Sequence, residues 1–384
     1  MSSFTKGLTV LYLDSAATTR VDPRVADLVV EYMTTEFGNA GSRTHEWGSR
    51  AKRAVQLARE QVAAVAHCKA DEVIFTSGAT ESNNLALLGL ADYGQTQGRR
   101  HIVSIATEHK AVLEPLEQLE NRGFEVDLLR PGPSGRIEVD QVLSAIRDDT
   151  LLVSLMVVNN ETGIIQDVDS IAHRLRETPT LIHVDAAQGF AKPTGQTLAE
   201  VDLISISGHK IAGPKGVGAL VTRRRGWSKV PLQPLMFGGG QERKLRPGTV
   251  PVALVAGLGL AVECLVENES TWVAGVQAFR TELLDTIRVV PFEFNGDQDH
   301  VMPHIINVAF TGIDSEALIV ALQDTAGIAT GSACTSASYT PSHVLTAMGL
   351  PQERVLQSVR MSWWPDSDTG YLQGVREALL ALVA

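Results

Sequence analysis

Ser205-Ile206-Ser207-Gly208-His209-Lys210, running on into Ile211-Ala212-Gly213-Pro214-Lys215-Gly216, is the stretch on which the reading of this chain turns. It closes an apolar run over residues 201–206, the length of a short buried strand. A lysine just past a strand end, between glycines, sits where an open α/β sheet places its ligand crevice. Burial there disfavours the ammonium and leaves a nucleophilic amine, the form a Schiff-base lysine needs. Taken alone, the same residues also describe a solvated loop lysine beside a turn.

Outward from Lys210, strands and helices alternate. Residues 73–75, 101–105, 124–129, 151–158, 181–185, 201–206 and 217–221 read as strands. Helical stretches beginning near Thr80 and Lys110 and spanning 140–146 and 168–176 separate several of them. That order predicts crossover connections and a mostly parallel seven-stranded sheet in an α/β protein. Upstream, 11–14 is a short extended segment and Asp22-Pro23 opens a helix through Tyr32. Residues 43–67 read as a long helix with Trp47, Ala51, Ala54, Ala58, Val62 and Val65 on one face. Beyond Pro251 a buried connecting helix leads into a smaller α+β unit with a strand at 305–310 and helices at 315–323, 341–348 and 371–383. The expected division is a large unit over 15–258 and a small one over 259–384 joined by 1–14.

Length and composition narrow the class. The 384 residues suffice for two cores, and 44% hydrophobic with 20% charged residues is ordinary for a soluble protein. A net charge of −11 disfavours a nucleic-acid clamp, so no direct nucleic-acid binding is expected. The basic clusters at 223–225 and 243–246 are short enough to be solvated loops or a helix end. Three cysteines, Cys68, Cys264 and Cys334, without a CxxC pair, fit a reducing compartment and argue against disulfides or a thiolate metal site. No signal core follows Met1, and the most apolar segment, 250–262, is broken by Pro251 and short of the ~20 residues a bilayer requires. A cytoplasmic protein without a membrane span is expected.

The loops at the strand ends supply the chemistry. Thr76-Ser77-Gly78-Ala79-Thr80-Glu81 joins a strand to a helix, whose first amides and dipole offer an anion site suited to phosphate. Neither a Walker loop nor a GxGxxG opening is present, which disfavours a nucleotide or dinucleotide. Thr107-Glu108-His109-Lys110 presents an imidazole that can stack on a planar ring or pass a proton. Asn159-Asn160-Glu161-Thr162-Gly163 offers amides, and His183-Val184-Asp185-Ala186-Ala187-Gln188 offers a half-buried carboxylate that calls for a cationic partner. Pyridoxal 5'-phosphate needs this inventory: a phosphate nest, a ring face, contacts to the ring hydroxyl, a pyridinium partner and a lysine. In the second unit Cys334 lies among Gly331, Ser332, Ala333, Thr335 and Ser336, with no large apolar neighbours in sequence, which suits an exposed nucleophile rather than a core cysteine. Arg360, on the strand 358–362, can pair with a substrate carboxylate or form an internal salt bridge.

Jointly, TSGATESNN (76–84), TEHKAVL (107–113), VNNETG (158–163), HVDAAQ (183–188), SGHKIAGPKG (207–216), RPGTVPV (246–252) and GSACTSAS (331–338) resemble the cysteine desulfurases, class V aminotransferases among the fold-type I pyridoxal-phosphate enzymes. The GSACTSAS form is similar to the subgroup with a longer cysteine loop. The resemblance implies conversion of L-cysteine to L-alanine with sulfur left as a persulfide on Cys334. It implies that Lys210 carries the cofactor, that His109 covers its ring and that Asp185 meets the pyridine nitrogen. Asn160 and Gln188 contact the cofactor, while Ala79, Thr80, Ser207 and His209 line its phosphate. Thr249 matches a residue that reaches the phosphate of a partner subunit, implying a homodimer. Arg360, Asn39 and Asn160 match positions near the substrate.

Three departures stand out. Ala40 replaces the proline usual after Phe37-Gly38-Asn39, and Trp363-Trp364-Pro365-Asp366 replaces a polar, glycine-containing stretch. The segment beyond Arg360 is shorter than in members that dock an iron–sulfur scaffold. It resembles the DNA-phosphorothioation desulfurases and some that feed tRNA thiolation. The implied partner is a sulfur-acceptor protein in DNA phosphorothioation, tRNA thiolation or iron–sulfur assembly. A selenocysteine lyase, another fold-type I aminotransferase and a non-catalytic adaptor are the alternative readings.

Overall fold

Strands that are covered on both faces have to be apolar on both faces, and the runs that satisfy this become the central sheet. The computed structural model describes residues 10–330 and 341–383. In chain order, β1 (Leu11–Tyr12), α1 (Pro23–Thr34), α2 (Glu46–Val65), β2 (Val73–Thr76), α3 (Ala79–Leu88) and α4 (Ala91–Gln97) come first. Next are β3 (His101–Ile105), α5 (Lys110–Glu120), β4 (Glu125–Leu129), α6 (Val139–Ala145), β5 (Thr150–Met156), α7 (Val168–Leu175), β6 (Leu181–Asp185), β7 (Leu203–Ser207) and β8 (Gly218–Thr222). Then follow α8 (Val252–Glu267), α9 (Glu269–Ile287), β9 (Phe292–Phe294), β10 (Ile305–Phe310) and α10 (Ser315–Leu322). The chain ends with β11 (Ala326–Gly327), α11 (His343–Ala347), α12 (Gln352–Leu356), β12 (Ser358–Ser362) and α13 (Leu372–Val383).

The seven-stranded sheet has the order β2-β8-β7-β6-β5-β3-β4. Only β8 runs against its neighbours; every other pairing is parallel. The carboxyl ends of β2, β7, β6, β5 and β3 therefore share one edge, and the loops expected to carry the chemistry emerge side by side. A second, antiparallel sheet has the order β12-β10-β9. The short β1 pairs in parallel with β11, which ties the start of the chain to the later unit. β9 and β11 did not register in the sequence because three- and two-residue strands carry too little alternation to read.

Small residues set the helix packing. α8 is buried along nearly its whole length and lies against α1 and α2. A Cβ on Gly259 would come within 2.6 Å of the Ala58 Cα, so the two backbones touch where a larger side chain would part them. α2 starts at Glu46, with His45 as its cap: the His45 Nδ1 accepts from the Gly48 amide at 3.2 Å. Trp47 corrects the expected buried face. In the first turn it points outward, 52% exposed, while Ala51, Ala54, Val55, Ala58 and Val62 form the buried stripe.

Beneath the functional edge a polar row crosses the sheet. The Ser104 hydroxyl donates to the Ser154 carbonyl at 2.8 Å, the Ser154 Oγ lies 2.8 Å from His183 Nδ1, and His183 Nε2 lies 3.0 Å from Ser205 Oγ. Fully buried, the His183 imidazole is pushed down to about 4 by loss of water, against which the Asp185 charge acts weakly. The unfolded chain takes up this proton near pH 6.5 and the native state refuses it, so stability drops as pH falls from that value toward the folded one. His183→Gln should flatten this acid limb: between about pH 7.5 and about pH 5 the wild type loses roughly 2 kcal/mol that the variant keeps. Urea unfolding at the two pH values reads the difference, and parallel losses in both proteins would refute it.

Candidate active site

A cavity of about 610 Å³ opens at the shared carboxyl edge. Its floor is built from strand ends and its walls from the turns that follow them. β7 ends at Ser207, and a single 3-10 turn, Gly208–Lys210, carries the lysine over the cavity. The Lys210 ammonium donates to the carbonyls of Ala16 at 2.6 Å and Ala17 at 2.7 Å, so the segment after β1 forms the opposite wall. The Ala16 carbonyl also accepts from Gln188 Nε2 at 2.7 Å.

β2 delivers the start of α3, where Gly78 caps the helix at φ +153°, a conformation that favours glycine. A Cβ on Gly218 would collide with the Ile206 carbonyl and come within 2.6 Å of the Gly78 Cα, so glycine there lets the helix start sit close to the sheet. The first amides of α3, at Ala79 and Thr80, thereby face the cavity with the positive end of the helix dipole. His209 stands beside them, its Nδ1 3.2 Å from the Thr18 hydroxyl. Burial first, then the charges of Lys210, Lys215 and Lys192, push the His209 imidazole down to about 4.

His109 caps α5, its Nδ1 accepting from the Ala111 amide at 3.1 Å. Burial lowers its pKa despite Asp185, so the neutral ring keeps its single proton on Nε2. Asp185, 6% exposed at the end of β6, accepts from Asn83 Nδ2 at 2.7 Å and from the Ala187 amide at 2.9 Å. Glu108 is wholly buried; loss of water, then the Asp185 charge, drive the pKa of its carboxyl well above the usual carboxylate range.

Arg360, on β12, reaches in from the second sheet at 4% exposure. Its Nη1 donates to the Asn160 carbonyl at 2.9 Å and its Nη2 to Asp14 Oδ1 at 2.6 Å, while Nε is buried without an acceptor. Of the two neighbouring asparagines, Asn160 lines the cavity. Asn159 is structural: its Oδ1 accepts the amides of Glu161 and Thr162, both at 2.9 Å, and its Nδ2 donates to the Thr107 carbonyl at 3.0 Å.

The structure thus brings together Ala79, Thr80, His109, Asn160, Asp185, Gln188, Ser207, His209, Lys210 and Arg360. Asn39 and Thr249 are exposed and outside this chain's cavity; the Asn39 side chain accepts the Gly41 amide at 2.8 Å. Cys334 lies outside the described residues. Asn83, Thr18 and Asp14 were missed in sequence. Asn83 alone left a signal, being one helical turn beyond Ala79 on the same face.

The arrangement fits a pyridoxal-phosphate group. Gln188 Oε1 and Asn83 Oδ1 are buried acceptors without partners, Asp185 is a carboxylate without a cation among its hydrogen bonds, and the helix start offers unpaired amides. Among the described residues no cluster of three or more His, Cys, Asp or Glu is placed to hold a metal.

Known proteins carry the same pattern. The family model described as aminotransferase class-V matches residues 11–369. The cysteine desulfurase IscS of Escherichia coli O139:H28 (strain E24377A / ETEC) is 46% identical over 356 residues, covering 92% of this chain and 87% of the relative. Among solved structures, DndA from Streptomyces lividans is 60% identical at a TM-score of 0.81, covering 92% of this chain and 99% of that chain. SspA in complex with cysteine is 36% identical at a TM-score of 0.80, covering 93% and 99%. The seven-stranded sheet, the cavity at its carboxyl edge and a family match running from β1 to just short of α13 lead to one assignment: the chain belongs to the class-V aminotransferase family.

Proposed function

We propose that this chain is a pyridoxal-phosphate-dependent cysteine desulfurase, converting L-cysteine to L-alanine and passing the sulfur through Cys334 to an acceptor protein. The observation that carries the reading is the meeting of Lys210, Asp185 and a buried, part-satisfied Arg360 in one cavity. The cofactor, held by the first turn of α3, Ser207, His209, Asp185 and Gln188, supplies an electron sink for charge developing at the substrate Cα. Arg360 orients the substrate through its carboxylate, for which the unpaired Nε is the waiting donor. Lys210, whose amine the Ala16 and Ala17 carbonyls steady, would move the Cα proton. His109 would cover the ring of the cofactor, with its Nδ1 engaged by the Ala111 amide and its proton on Nε2.

Cys334 takes the sulfur. Its thiolate attacks the substrate sulfur, an S–S bond forms, and the C–S bond breaks with its electron pair staying on the carbon, which takes up a proton to become alanine. Residues flanking the segment 331–340 are tied to the site. Ala329 pairs with the Arg360 backbone, Ser342 Oγ donates to Glu161 Oε2 at 2.5 Å, and His343 Nε2 lies 2.9 Å from the Glu108 carbonyl.

A homodimer and a cytoplasmic location belong to the same proposal. Phe37, Trp47 and Phe237 are exposed apolar side chains near glycine-rich loops, and Thr249 is exposed and does not line this chain's own cavity, as expected of a residue serving a second copy. No helix among the described residues is long and apolar enough to cross a membrane. We place the division between the large and small units within α8, at 258/259, with residues up to 14 joining the small one through the β1–β11 pairing. The sulfur acceptor serves DNA phosphorothioation, tRNA thiolation or iron–sulfur assembly.

Two experiments test the reading. Borohydride reduction of the holoenzyme, followed by peptide mapping, should place the pyridoxyl label on Lys210, and Lys210→Ala should take no label while keeping its fold. Label on Lys215 or Lys110 would move the assignment. Among the cysteines, burial raises the Cys68 thiol to about 11 and raises that of Cys264, so both are held as inert thiols. Cys334→Ser should bind L-cysteine yet release alanine at least about 100-fold more slowly, a hydroxyl being a poor nucleophile toward sulfur. Cys68→Ala and Cys264→Ala should turn over near normally. Persulfide found by mass spectrometry mainly on Cys68 or Cys264 would overturn this mechanism.

A further inference from the structure

The partners of the Arg360 guanidinium differ in kind. The Asn160 carbonyl on Nη1 is a fixed part of the frame, but Asp14 on Nη2 is a carboxylate whose side chain is 26% exposed and still meets water. Nε, buried and without an acceptor, lies on the same edge of the guanidinium as Nη2. That edge is the fork on which a carboxylate binds through two parallel hydrogen bonds. A ligand carboxylate that takes Nε therefore finds the second position already held by an internal carboxylate of the same charge.

We propose that Asp14 competes with the ligand carboxylate for Arg360 and so sets how tightly substrate and product alike are held. The inference rests on the reading of Arg360 as the substrate-carboxylate site. L-Cysteine and L-alanine present the same carboxylate and the same amine, so an arginine with a wholly free fork would grip the product as firmly as the substrate. Asp14 weakens that grip while keeping the buried cation paired when no ligand is present, and a buried guanidinium left alone is costly. Its position suits the task. Asp14 follows β1 and bridges to Ser362 on β12, two residues beyond Arg360, so it is delivered to the guanidinium by the backbone itself.

The test is calorimetric titration of the holoenzyme with three probes: propionate, a carboxylate without an amine; ethylamine, an amine without a carboxylate; and L-alanine. Asp14→Asn should bind propionate and L-alanine roughly tenfold more tightly, as expected when one charge-assisted competitor is removed, with ethylamine unchanged. Asp14→Glu, which restores the charge, should stay near the wild type. Unchanged or weaker propionate binding in Asp14→Asn would overturn the proposal and leave Asp14 as a residue that only orients the arginine. A parallel shift for ethylamine would overturn it as well. If the asparagine is not accommodated, Asp14→Ser, with folding checked by circular dichroism, carries the same expectation. Arg360→Ala tests the underlying reading separately: it should lose propionate. If it binds propionate like the wild type, the assignment of Arg360 fails; if it loses propionate while Asp14→Asn gains none, only the competition fails.

Discussion

A carboxylate taken out of water has to be met by donors and by positive charge, and Asp185 is such a carboxylate. Its two hydrogen bonds, from Asn83 and the Ala187 amide, are both neutral. The groups around it cannot make up the charge. Burial lowers the pKa of His183 and His109, and burial together with Asp185 raises that of Glu108, so each is pushed toward its neutral form. The Lys210 ammonium is drawn to the Ala16 and Ala17 carbonyls. We propose that the pyridine nitrogen of the cofactor would bring a cation to Asp185. On this view the buried polar row and the neutral imidazoles serve one end: they keep the environment of Asp185 short of positive charge until the ligand brings it.

The sheet was legible in sequence because its strands are buried on both faces and so read as unbroken apolar runs such as 151–158 and 201–206. All seven appear, within a residue or two at each end. What did not register were the helices α4, α9 and α12 and two short strands whose existence depends on partners. β11 is two residues long and exists because β1 lies beside it, and β9 has only the edge of β10 to define it. Trp47 misled because its spacing matches the helix face, whereas first-turn side chains at a capped start are free to point away from the core.

Site residues at strand ends were legible for the same reason: the end of an apolar run marks the edge of the sheet, and Asp185 closes one while Lys210, His109 and Asn160 lie just past one. The tertiary context then separated Asn159 from Asn160, adjacent and chemically identical in sequence. One staples its own turn and the other faces the cavity. Arg360 left open a choice between ligand and salt bridge, and the structure holds elements of both, an ion pair to Asp14 and a donor still unmet.

The segment least visible in sequence is the one on which the polar contacts converge. Residues 14–19 form no regular element, yet the Ala16 carbonyl accepts from both Lys210 and Gln188, Thr18 meets His209, and Asp14 meets Arg360. The same residues are fastened to β12: the Ser15 amide donates to the Ser362 carbonyl at 3.0 Å and the Ala16 amide to the Ser362 hydroxyl at 2.9 Å. The segment therefore joins the lysine of one sheet edge to the arginine of the other sheet through its backbone. Much of its work is done by carbonyls and amides, which every residue possesses, so side-chain identity at Ala16 and Ala17 gives little sign of it. Small side chains there leave the carbonyls accessible to Lys210. The relative position of lysine and arginine, on which any substrate held by both depends, is thus fixed by a few backbone hydrogen bonds.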